Sequence, residues 1–222
     1  MHTQFLRLTA LCLSTALFTG CATEHSRTLE TPKPPVAASA YQGQKPLISV
    51  GKFDNRSSFM NGIFSDGVDR LGSQAKTILI THLQQSGRFN VLERDNMAEA
   101  AQEAQLMKKT QATLGARYVL TGDVTEFGRK EVGDQQLFGI LGRGKQQIAY
   151  AKVSLNLVDV QTSAVVFSSQ GAGEYSLSQR EVIGFGGTSS YDATLNGKVL
   201  DLAIREAVGK LAQGVEQGSI KP

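Results

Sequence analysis

Between Leu47 and Lys221 the chain contains no proline: its five prolines fall at positions 32, 34, 35 and 46 and at the C-terminal Pro222. Every backbone N–H over that stretch is therefore available to a helix or a sheet ladder, and residues 47–216 are expected to form the folded domain. With 222 residues, 41% of them hydrophobic, the chain can bury one real core and is not a disordered polymer. Twenty-three Lys and Arg stand against 20 Asp and Glu, and no basic stripe gathers them, so nucleic acid is not an expected partner. Two Cys and three His are too few for a zinc module, and no cofactor is expected.

The first twenty residues read as a signal peptide. Arg7 precedes an apolar run from Leu8 to Phe18, and small residues lead to Gly20 and Cys21. The run is shorter than the roughly 20 apolar residues of a membrane-spanning helix. Phe18-Thr19-Gly20-Cys21 resembles the lipobox of bacterial lipoproteins, with Phe18 in place of the usual Leu. By that resemblance Cys21 is the lipidation site. Cys12 would leave with the signal, so no free thiol would remain for catalysis or a disulfide. Ala22 is not the Asp associated with inner-membrane retention, which implies an outer-membrane anchor facing the periplasm. Residues 21–46, with Pro32, Pro34 and Pro35 among small polar residues, read as an extended tether.

Beyond the tether the patterning alternates between strand and helix. Leu47 to Phe53 reads as a strand, and a loop with Asn55, Phe59, Asn61 and Phe64 follows. Val68, Leu71, Ala75, Ile78, Leu79 and Leu83 fall on one helical stripe that ends at Ser86-Gly87. Phe89 to Leu92 is a short strand, and Asn96 with Glu99 resembles a capping box opening a second helix past Met107. Gly115 to Gly122 reads as a buried central strand. Gln147 to Val160 puts Ala149, Ala151, Val153, Leu155 and Leu157 on one face and Tyr150, Lys152, Ser154 and Asn156 on the other. A polar turn at 159–163 leads to another strand near Ala164, and Asn196 to Gly214 is helical. The fold class expected is α+β, a mostly antiparallel sheet backed by helices, with two extended β-hairpin insertions at about 126–146 and 170–190.

No catalytic constellation accompanies these elements. Gly139 to Lys145 satisfies G-x-x-x-x-G-K, but Gln146 replaces the hydroxyl that would hold Mg²⁺ and a β-rich segment follows where a helix is needed. His82, near the end of the first helix, reads as a surface or last-turn imidazole, and His25 lies in the tether. No serine has a plausible His and acid partner, so a hydrolase triad lacks its base. Glu93-Arg94-Asp95 reads as a strand-to-helix junction with a local ion pair.

Gly87-Arg88-Phe89-Asn90-Val91-Leu92-Glu93-Arg94, Leu114 to Gly122, and Leu157-Val158-Asp159-Val160-Gln161-Thr162 together resemble the CsgG/HfaB family of outer-membrane lipoproteins, best known for the curli secretion channel. The resemblance spans roughly residues 47 to 215. It implies a ring-forming homo-oligomer in which each copy lends two hairpins to one transmembrane barrel, and a loop after the first strand narrows the pore. Here that loop would present Phe59, Asn61 and Phe64. Closure needs many copies, because open strand edges in hydrocarbon leave amides unpaired.

The two proposed insertions pass the membrane test unequally. In the second, Gly173, Tyr175 and Leu177 alternate with Glu174, Ser176 and Ser178, and Ile183 and Phe185 resume the apolar face. In the first, Arg129, Lys130, Glu131 and Asp134 place charge on both faces, and Leu137, Phe138, Ile140 and Leu141 cluster at the tip. Two functions remain open. One is passive export of a polypeptide, or assembly of a surface structure, through an oligomeric pore. The other is a periplasmic scaffold whose apolar tips bind other envelope proteins or lipoproteins.

Overall fold

In the computed structural model, residues 41–59, 67–135, 143–181 and 195–222 are described. The elements in chain order are β1 (Leu47–Asn55), α1 (Arg70–Ser86), β2 (Asn90–Leu92), α2 (Met97–Leu106), β3 (Tyr118–Gln135), β4 (Arg143–Asp159), β5 (Val165–Glu181) and α3 (Leu195–Glu216). The strands form one sheet in the order β2-β1-β3-β4-β5.

The sheet is mixed. β1 pairs in parallel with both β2 and β3, whereas β3–β4 and β4–β5 are antiparallel. The expectation of a mostly antiparallel sheet holds for the long C-terminal ladders and fails at the N-terminal edge. The reason is connectivity: each strand there is reached through a helix, and a helical crossover returns the chain in the same direction.

Local chemistry sets the boundaries of α1. The Asp69 carboxylate accepts from Gly72 N at 2.7 Å, capping the helix, and from Asn55 N at 2.6 Å, tying its start to the end of β1. Gly87 ends it in the left-handed region at φ 67°. Val68, read from its spacing as part of the stripe, lies before the helix and is exposed. Asn96 caps α2 in backbone position only, and its side chain makes no capping bond. Glu93 instead orders the turn before the helix, accepting from the N–H groups of Asp95 at 2.6 Å and Asn96 at 3.3 Å, and these bonds hold its carboxyl below the usual range.

α1 and α3 cover one face of the sheet and pack on each other. Ala149, Ala151, Val153, Leu155 and Leu157 of β4 all point under the helices, as their alternation requires. They meet Val199, Leu200, Ala203, Ile204, Ala207 and Leu211 of α3 in the single core. The opposite face is polar. Lys152 pairs there with Glu126 at 2.6 Å, and Ser168 donates to Asn156 at 2.7 Å. One face buried and one face wet is the ordinary economy of a two-layer domain.

The described residues of both proposed hairpin insertions extend strands of the sheet. Residues 126–135 and 143–146 continue β3 and β4, in register from Tyr118↔Asp159 to Gln135↔Arg143. Residues 170–181 continue β5 against β4 as far as Glu181↔Arg143. The result is one three-stranded ribbon longer than the helices that back its base. The tip residues Leu137, Phe138, Ile140 and Leu141, and Ile183 and Phe185 further on, lie outside the described residues.

Candidate assembly surfaces

The outer part of the ribbon extends past the helical layer. Arg129 of β3 sits opposite Ala149, which sits opposite Tyr175, and Arg129 Nε donates to Asn196 Oδ1 in the first turn of α3 at 2.8 Å. α3 therefore begins level with that row. Six further rows of the β3–β4 ladder, Lys130↔Ile148 to Gln135↔Arg143, continue past it. At the usual rise they extend about 20 Å. A membrane strand needs about 9 to 11 residues, so the described rows supply part of one.

The residues singled out in the sequence are distributed unevenly over this frame. Tyr175 packs against the core and lies beneath Lys198 Nζ, 5.0 Å from its ring centre. Gly173 faces the same helix: a Cβ there would stand 2.7 Å from the Val199 carbonyl oxygen. At these two positions the apolar face read as lipid- or partner-facing is already occupied by α3. Leu177 lies opposite Gln147 in the β4–β5 ladder. Phe59 is half-buried, its ring centre 4.6 Å from that of Phe127 at a 51° tilt, and Asn55 Nδ2 donates to its carbonyl at 2.7 Å. It sits beside the start of the ribbon, at the level of Phe127. Asn61 and Phe64, the other members of the proposed constriction, and Cys21, the proposed lipidation site, lie outside the described residues.

Several ionisable residues join elements of the fold. His82 is not a surface imidazole: it is 2% exposed and its Nε2 lies 2.7 Å from Asp201 Oδ1, joining α1 to α3. Arg88 is equally buried. It donates to Glu216 Oε1 from Nε at 3.0 Å and from Nη2 at 2.7 Å, and from Nη1 to the Ser86 carbonyl at 2.8 Å. That anchors the end of α3 to the α1–β2 turn. Glu93, Arg94 and Asp95 hydrogen-bond through their backbone groups but form no ion pair with one another. Asp95 pairs with Lys76 at 2.6 Å, and Arg94 donates to the Leu114 carbonyl at 2.6 Å. These three residues rim a cleft of about 210 Å³ whose walls include Val50, Ile80, Val91 and Leu92. Arg143 to Gln146 of the phosphate-loop pattern are strand, and no helix follows them. Among the described residues, no three His, Cys, Asp or Glu gather where a metal could sit, and no helix is long and apolar enough to cross a membrane.

A second exposed surface went unnoticed in the sequence. α2 has no buried residue, and Leu106 and Met107 at its end are 71% and 63% exposed, with Leu114 beyond them at 58%. Its alanines and its Asn96 start signal a helix, but nothing local says whether a partner covers it. The role of Glu206 and Lys210 was also missed. Their i,i+4 spacing was visible in the sequence, whereas their position over the edge of β5 depends on how α3 docks.

Comparison with known proteins adds an independent line. The model of the family described as "Curli production assembly/transport component CsgG" matches residues 30–221. A protein of Neisseria meningitidis serogroup B (strain ATCC BAA-335 / MC58), named as a candidate lipoprotein NMB1126/NMB1164, is 65% identical over 216 residues, covering 96% of this chain and 97% of its own. Among solved structures, the PelC dodecamer from Paraburkholderia phytofirmans is similar at a TM-score of 0.38 and 18% identity, covering 82% of this chain and 95% of that one. The lipoprotein GNA1162 from Neisseria meningitidis is similar at a TM-score of 0.34 and 16% identity, covering 69% of this chain and 93% of that one. At such scores neither structure carries an argument about assembly.

Proposed function

The chain belongs to the CsgG family, and from that premise we propose that it is an envelope lipoprotein that works by assembling with polypeptides and without covalent chemistry. Acylation at Cys21 tethers it to the outer membrane on the periplasmic side. Copies of the chain associate into a closed ring that serves as a passive conduit for an exported polypeptide or as the base of a surface structure. Phe59, Asn61 and Phe64 line its narrow point. The observation that carries this reading is the family match over residues 30–221, nearly the whole chain beyond the signal. The ribbon supports it, because β3, β4 and β5 continue past the start of α3 with β5 at the edge of the sheet. An edge strand joins other chains readily, and only closure removes every edge.

The test is direct. Lipidated protein extracted in detergent and imaged by electron microscopy is expected to show closed rings, and in a planar bilayer to give discrete conductance steps that Leu177→Arg abolishes. A monomer that needs no detergent and conducts nothing would overturn the pore.

A second reading is favoured by α2, which buries no residue and leaves Leu106 and Met107 exposed among the described residues. On that reading the same tethered domain is a scaffold for other envelope proteins. Its signature would be Leu106→Asp and Met107→Asp eliminating a protein contact while leaving detergent behaviour unchanged.

A further inference from the structure

β5 is an edge strand along its whole length, yet its edge is not uniform. Successive residues of an edge strand turn their N–H and C=O alternately toward the neighbour and away from it. At Gln170 and Ala172 the outward groups are already taken. Ala172 N donates to Glu206 Oε2 at 2.8 Å, and Lys210 Nζ donates to the Gln170 carbonyl at 2.8 Å. Glu206 and Lys210 also pair with each other at 2.8 Å, one turn apart on α3. The carboxyl of Glu206 is held below its usual range by Lys210 and by the Ala172 N–H, so it is a charged acceptor at neutral pH.

Two glycines make this reach possible. A Cβ at Gly171 would collide with the Ala203 carbonyl oxygen, and one at Gly173 with that of Val199. With no side chain at either place, α3 lies against the β5 backbone. The next outward residues of the helix, Glu206 and Lys210, then hang over the strand edge. For the outward positions beyond, Glu174 and Ser176, no such bond from α3 occurs among the described residues.

We propose that Glu206 and Lys210 form an edge stop: they occupy the backbone hydrogen-bonding groups of β5 at Gln170 and Ala172 and so bar an extended polypeptide, including the β5 of another copy, from pairing along the base of the strand. A chain arriving at the edge finds a salt bridge where it needs a free N–H and C=O, and strand addition is confined to the segment past Ala172. This is a property of the strand edge itself and holds whether the protein works as a ring or as a scaffold. Native proteins commonly guard edges with charge, often lysine. Here the guard is donated by a helix and hydrogen-bonds the edge directly.

The experiment uses the full chain and two readouts. Amide hydrogen exchange at Ala172 reports the stop, and sedimentation with thioflavin-T fluorescence reports open-ended strand association. In the wild type, Ala172 exchanges slowly and the protein sediments as discrete species. In Glu206→Ala/Lys210→Ala, exchange at Ala172 is expected to rise at least tenfold in dilute solution, and concentrated protein is expected to form thioflavin-positive species of no fixed size. Glu206→Gln, which keeps an acceptor oxygen, should restore most of the protection in an otherwise native chain. Adding Ala172→Pro to the double variant removes the outward donor and should suppress the association. Raised exchange with unchanged association, or no change in exchange, would overturn the proposal. So would association that persists with Ala172→Pro. Each outcome is read without reference to conductance or ring images, so failure of the stop and failure of the pore are distinguishable.

Discussion

α2 and α3 both announce themselves as helices in the sequence, and they end in opposite circumstances. α3 buries twelve of its residues, from Leu195 to Val215. α2 buries none. The difference lies in the side chains on each stripe. α3 presents Val199, Leu200, Ile204, Val208 and Leu211 to the sheet, whereas the corresponding turns of α2 offer chiefly Ala, Glu and Gln. Helical periodicity fixes where a face is, and the apolar area on that face decides whether it docks.

The contrast can be broken experimentally, beginning with the largest effect. Ile204→Ala in α3 removes a fully buried side chain and is expected to cost about 2 to 5 kcal/mol in urea unfolding. Gly171→Ala forces α3 off β5, because the obstacle is helix backbone, and should cost about 1 to 3 kcal/mol. Glu216→Ala leaves the buried Arg88 guanidinium without its carboxylate, for a loss of about 2 kcal/mol. Leu106→Ala at the exposed end of α2 should change monomer stability by no more than about 0.5 kcal/mol. If Leu106→Ala costs as much as Ile204→Ala, the two helices are not different in kind.

The smallest effect is acid-linked. The Glu206 carboxyl is held below the usual glutamate range by Lys210 and by the Ala172 N–H. A depressed folded-state value contributes stability that is present above the unfolded value and lost as pH falls through the folded one. Removing that linkage with Glu206→Gln should make the stability–pH curve slightly flatter below about pH 4.5. An unchanged acid limb would show that the carboxylate is not bonded in solution.

Much of the element order was legible in the chain, and particular residues show why. Ala149 to Leu157 alternate without a break, so their burial followed from the pleat alone. Gly87 was readable as the end of α1 because a left-handed cap favours glycine. Other readings failed where a distant partner intervened. His82 was read as a surface or last-turn imidazole, and it is buried with its Nε2 against Asp201, 119 positions further on. Asn96 was read as opening a capping box, and its side chain makes no capping bond. Tyr175 was read as facing lipid or a partner protein, and α3 covers it. That residues 126–135, 143–146 and 170–181 continue the strands of the sheet is visible only in the β3–β4–β5 register.

The sequence by itself determined which segments become helix or strand, because periodicity, caps and proline exclusion act within a few residues. The tertiary structure alone decided that β1 lies between two parallel neighbours, that α3 docks and α2 does not, and that Glu206 and Lys210 bond the edge of β5. Each of these depends on groups far apart in the chain meeting at hydrogen-bond or van der Waals distance, and no local pattern encodes that meeting.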